Sequence, residues 1–95
     1  MQCSRLLFSR HALTRMFERE LQVADLSTAI ESGEVIREYP DERPYPSALL
    51  LAFIGAVPVH VVVARDTNDG TCYVVTAYVP DPALWTPDFR NRRPS

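Results

Sequence analysis

The side chains of this 95-residue chain able to do acid–base or phosphate chemistry are two histidines, ten arginines with no lysine, and four tyrosines. His60 lies inside Val59-His-Val-Val-Val63, and His11 opens the polar stripe His11, Thr14, Arg15, Glu18 of a basic segment. Two imidazoles with a guanidinium and a phenol are the minimum set for metal-free cleavage of RNA. One ring takes the proton of a 2′-hydroxyl, the other gives one to the leaving oxygen, and cations hold the phosphorane charge. In that scheme His11, Arg15, His60, Thr76 and Tyr78 are the catalytic candidates, with Arg10 and Arg19 contacting the nucleic-acid backbone. No cofactor or metal is expected. The chain has no HExxH, no clustered carboxylates and no glycine-rich phosphate loop.

Each histidine also has a purely structural reading. In a strand, His60, Val62 and Ala64 face one way and Val59, Val61, Val63 and Arg65 the other. If helices cover the valines, His60 lies on the open or tail-covered face. There the paired strand presents Thr76 and Tyr78 or, in the other register, Tyr73. The structural role would be a half-buried ring bonded to a tail carbonyl or a tyrosine. For His11 it would be a solvated helix face carrying an Arg15–Glu18 pair.

The elements that must position these groups follow from pattern. Ser9 is a good N-cap for a helix over residues 10–20, whose apolar stripe is Leu13, Met16 and Phe17. A second helix over 23–32 turns Leu26, Ala29 and Ile30 inward and stops at Gly33. Glu34–Tyr39 reads as an edge strand. Pro40-Asp-Glu-Arg-Pro-Tyr-Pro46 can only be a loop. The apolar stretch from Ser47 to Arg65 is interrupted by Gly55-Ala-Val-Pro58, so it reads as a hairpin of Ser47–Ile54 and Val59–Arg65 instead of a membrane span. Asp66–Gly70 is a turn, and residues 71–79 a last strand. The order is α-α-β-β-β-β: an α+β domain with two N-terminal helices packed on one face of a four-stranded, mainly antiparallel sheet. One domain over 1–89 is expected, with Leu84, Trp85 and Phe89 docking on it and a basic tail, 90–95, that frays.

The hydrophobic share of 46% and charged share of 23% suit an ordinary globular domain. Both ends are arginine-rich and the middle acidic. The overall pI near 5.6 counts against strong affinity for RNA. No secretory signal pattern opens the chain; Cys3 and Cys72 could pair only if the fold brought them together, and with no CxxC spacing they imply neither a disulfide scaffold nor a zinc site, so a cytoplasmic location is expected.

Phe8-Ser-Arg-His-Ala-Leu-Thr-Arg15-Met-Phe-Glu-Arg19, Glu31-Ser-Gly-Glu-Val-Ile36, Tyr39-Pro-Asp41, Pro58-Val-His60-Val-Val and Val75-Thr-Ala-Tyr78-Val-Pro-Asp81 together resemble the bacterial domain of unknown function 4258 family. The motifs are His-Ala-x-x-Arg-Met on the first helix, Gly-Glu-Val-Ile, a strand histidine, and Thr-x-Tyr followed by Pro-Asp. The chain departs at Glu20-Leu-Gln-Val, where a Gly-Ile-Ser type of turn is common. The resemblance implies an element order similar to ribonuclease toxins of the RelE and BrnT kind, and a small zinc-finger protein of the antitoxin type as partner. By that analogy His11, Arg15, His60, Thr76 and Tyr78 are the functional positions.

The sequence thus supports a metal-independent endoribonuclease toxin or a decayed relative of one, acting on RNA. Its alternative is a non-enzymatic module whose sheet face or edge strand Glu34–Tyr39 receives a protein partner. A small-ligand or peptide pocket beneath Trp85 and Phe89 is a third reading. A membrane role has no support.

Overall fold

A computed structural model describes residues 1–94. The chain opens with a strand that the pattern did not reveal, β1 (Arg5–Phe8), followed by α1 (Arg10–Glu18), α2 (Val23–Ser32), β2 (Glu34–Tyr39), β3 (Ser47–Ile54), β4 (Val57–Arg65) and β5 (Thr71–Tyr78). The sheet order is β1-β5-β4-β3-β2. The expected four-stranded sheet is therefore a five-stranded mixed one, because β1 pairs in parallel with β5, Leu6 opposite Cys72 and Phe8 opposite Val74. Four residues carry too little alternation to announce a strand. Their partner lies at the far end of the chain, which no local pattern can indicate. The same pairing brings Cys3 beside β5, where it forms a disulfide with Cys72. The pairing that the sequence left to the fold is thus made, although the spacing of the two thiols did not imply it.

Both helices form where expected. The Ser9 hydroxyl accepts a hydrogen bond from the Ala12 amide at 2.9 Å and so caps α1. Gly33 closes α2. Leu26, Ala29 and Ile30 of α2 join Ala12 and Met16 of α1 over Ala48, Leu50, Val59, Val61, Val63 and Val74 of the sheet. This all-aliphatic layer is the core. The apolar stripe of α1 is only partly in it, since Leu13 and Phe17 point outward, 44% and 86% exposed. The small Ala12 lets α1 lie close to β5 and turns the buried arc toward Ala12 and Met16, away from Phe17.

The β3–β4 connection is the two-residue turn Gly55-Ala56, with Gly55 at φ 62°. That left-handed conformation suits glycine, and β4 accordingly begins two residues before the expected Val59. The β4–β5 pairing shifts register between Val62 and Val63: Val62 faces Thr76 while Val63 faces Val74. Val75 is the extra residue of this bulge. It is 40% exposed. Because the bulge resets the alternation, Tyr73, Thr76 and Tyr78 all come to the sheet face opposite the helices, where alternation alone allowed either Tyr73 or the other two.

Beyond β5 the chain turns back across that face. The Asp81 carbonyl accepts from the Leu84 and Trp85 amides, and Trp85 forms a bridge with Arg92. The segment after Phe89, expected to fray, is tied down through Arg93. Arg90 makes a two-pronged contact with Glu34 of β2 at 2.7 and 2.9 Å, and Arg37 donates to the Asn91 side-chain oxygen at 3.0 Å. Among the described residues no helix is long and apolar enough to cross a membrane.

Candidate functional site

His60 is fully buried on the tail-covered face. Its Nε2 lies 2.8 Å from the Phe89 carbonyl oxygen and its Nδ1 3.2 Å from the Tyr78 hydroxyl. A carbonyl only accepts, so Nε2 carries the proton; Nδ1 then accepts from the Tyr78 O–H. The edge-on Trp85 ring, 4.3 Å away centroid to centroid, completes the enclosure. Burial pushes the His60 pKa down, and the bond to Phe89 only partly opposes this. Burial likewise pushes Tyr78 up, reinforced by the nearby Tyr39, against the smaller pull of Arg92 and Arg19. Both groups are therefore held neutral, with every ring nitrogen of His60 engaged. Such a pair fastens the tail to the sheet.

The remaining candidates are distributed around it. Thr76 is half-buried on the same face, opposite Val62. His11 and Arg15 belong to α1 on the other side of the sheet, both exposed, with Arg15 paired to Glu18 at 3.2 Å. Arg10 is exposed at the start of α1, and Arg19 donates to the Ala77 carbonyl at 2.8 Å along the part of β5 that β1 leaves uncovered. The structure thus brings together His60, Tyr78 and Thr76. His11 and Arg15 stay exposed on α1, whose buried side chains Ala12 and Met16 pack with Val59, Val61 and Val63 on the sheet face opposite His60.

Among the described residues no group of three or more His, Cys, Asp and Glu side chains could hold a metal ion. The two surfaces expected to receive a partner are both occupied or guarded. The sheet face carries the tail. The outer edge of β2 is irregular, with a register shift between Val35 and Arg37, and the Arg37 guanidinium bonds the Ile36 carbonyl at 2.7 Å. Irregularity and charge are the usual defences of an edge strand.

A different surface stands open. Between α1 and α2 runs a groove of about 540 Å³ whose apolar lining is Leu13, Met16, Phe17, Leu21, Val23 and Ala24. Sequence reasoning missed it because it assigned Leu13 and Phe17 to the core. The usable signal was the small Ala12 beside Met16, which can seat α1 without them.

A family model described as Domain of unknown function (DUF4258) matches residues 8–79. No curated protein and no solved structure matches the chain.

Proposed function

The chain belongs to the domain of unknown function 4258 family, and from that premise and the surface geometry we propose that it is a non-enzymatic module that binds another protein chain in the α1–α2 groove. The observation that carries the proposal is the exposure of Phe17, 86%, beside Leu13, Leu21 and Val23. A contiguous apolar patch costs solvation free energy unless something covers it, and large aromatics near the centre of such patches are the usual anchors of interfaces. The ribonuclease reading implied by toxins of the RelE and BrnT kind would require His11 and His60 to share one phosphate. The burial of His60 with both ring nitrogens engaged, and the exposure of His11 on a helix packed against the opposite face, speak for the binding reading instead.

Phe17→Gln tests it. Glutamine is a good helix former and the position is solvent-facing, so the fold should survive with stability changed by less than about 0.5 kcal/mol. The tagged chain should retain a stoichiometric protein partner that the variant loses, and the reconstituted pair should reproduce the difference in a calorimetric titration. A small zinc-finger protein and RNA are assayed alongside. Cleavage of RNA in chelating buffer, abolished by His60→Ala in a folded variant, would overturn the proposal.

A further inference from the structure

We infer that the groove is filled by a second copy of this chain, the two α1 helices crossing antiparallel about a twofold axis at the level of Arg15. This rests on the binding reading above and names its partner.

Four side chains carry the argument. Arg10, Leu13 and Phe17 follow one another at intervals of three and four residues and lie along one stripe of α1, and Glu20, just beyond the end of the helix, lines the same groove as Leu13 and Phe17. In sequence the set is centred on position 15, with Leu13 and Phe17 two residues to either side, Arg10 at the first turn of the helix and Glu20 just past its last. An antiparallel twofold pairing therefore places Leu13 of each copy against Phe17 of the other. It also sets Arg10 of each against Glu20 of the other. A parallel pairing would oppose like charges at both ends, so charge selects the antiparallel sense.

Two further observations fit a self-complementary contact. Arg10 and Glu20 are both exposed, and neither has an ion-pair partner among the described residues. Phe17 stands on the rim of the groove without filling it, so each copy offers a projecting ring next to a recess. That is the arrangement an isologous interface requires. Glu20 also sits at φ 58°, in the left-handed region where glycine is at ease and a larger residue costs about 1–3 kcal/mol. An unpaired carboxylate kept on a strained backbone is accounted for if it meets a cation across the axis.

The test is the mass of the purified full chain, by sedimentation and light scattering, for wild type, Arg10→Glu, Glu20→Arg and an equimolar mixture of the two variants. Neither substitution threatens the fold, because the new acid lies at the N-terminus of α1 and the new base near its C-terminus, as the helix dipole favours. Wild type should dimerise. Each variant alone opposes like charges at both ends of the interface and should dimerise at least roughly tenfold more weakly. Mixed, they restore two attractive pairs and should form the heterodimer in preference to either homodimer. Phe17→Gln should be monomeric. A chain that stays monomeric up to about 1 mM, the weak limit of specific association, overturns the inference. So does a dimer indifferent to both charge reversals. A monomer whose groove still binds another protein through Phe17 overturns this inference alone; a monomer that binds nothing there overturns the binding reading with it.

Discussion

The Nε2 of His60 reaches the Phe89 carbonyl oxygen at 2.8 Å, so one buried imidazole joins β4 to the returning C-terminal segment. The Phe89 carbonyl accepts from Nε2–H in either charge state, whereas Nδ1 can accept from the Tyr78 O–H only in the neutral ring. Burial lowers the His60 pKa below its ordinary 6.5. In the unfolded chain the ring takes up a proton as the pH falls through that value, while in the folded chain it resists. The unfolded state then binds more protons, and stability declines as the pH falls below about 6.5. The thermal midpoint of the wild type should drop between pH 7.5 and pH 5, and His60→Gln, which keeps a donor for Phe89, should show a flatter profile. Parallel profiles for the two proteins would remove His60 as the source.

The α1–α2 turn is built from residues that suit it poorly. Glu20 adopts φ 58°, and Gln22, at the N-cap of α2, makes no side-chain capping bond. A glycine at position 20 removes the left-handed penalty, and a serine at 22 supplies an acceptor for an orphan amide of α2. Glu20→Gly and Gln22→Ser should each raise stability by about 0.5–2 kcal/mol in denaturant titrations. Their effects should nearly add if they act on separate backbone groups. A loss of stability in either variant would mean that the wild-type side chain has a contact in the folded monomer that outweighs the local gain.

The turn also shows why parts of this molecule could be read from the chain and others could not. The departure at Glu20-Leu-Gln was visible as residue types, and its consequence is local, so sequence reasoning located it. Leu26, Ala29 and Ile30 were legible for the same reason, as a helical period with one buried side. Leu13 and Phe17 were not, because whether a stripe faces the core depends on how closely α1 can approach β5, a property of Ala12 and of the sheet beneath it. The bulge at Val75 brought Tyr73 onto the face of Thr76 and Tyr78, which strict alternation forbids. At the site, the structural reading of His60 offered a tail carbonyl or a tyrosine as partner to a half-buried ring; the ring has both partners and is fully buried, because the returning tail closes over it. The separation of His11 from it depended on the packing of α1, which no spacing along the chain encodes.

The Cys3–Cys72 disulfide closes a loop of 69 residues, nearly the whole domain. Constraining the unfolded chain over so long a loop stabilises by about 2–5 kcal/mol. Cys3→Ser should lose that amount, and treatment of the wild type with a reductant should lose the same. Cys72→Ser should cost more, since Cys72 is fully buried against the helices and its hydroxyl would replace sulfur among hydrocarbon. If Cys3→Ser and the wild type have the same midpoint under oxidising conditions, the disulfide contributes nothing to stability. Disulfides persist in oxidising surroundings, so the redox state of this pair in the cell is a direct probe of where the chain resides.

The C-terminal segment is held by contacts of two kinds that should respond differently to substitution. Trp85 is buried against His60, and Arg92 lies 5.6 Å above its ring. Removing an indole from such a site leaves a void and exposes the His60–Tyr78 pair, so Trp85→Ala should cost about 3–5 kcal/mol. Arg90 and Glu34, by contrast, meet in water. Their two-pronged contact holds the Glu34 carboxyl below its usual range, yet the solvent around both groups screens its contribution to global stability. Arg90→Ala should leave the unfolding midpoint nearly unchanged while amide exchange quickens between Thr86 and Arg93, because the Thr86–Asn91 and Leu84–Arg93 backbone bonds there depend on the segment staying down. Exchange that quickens equally across β3 and β4 would show that the tail opens only with the whole domain, and that the ion pair has no separate local role.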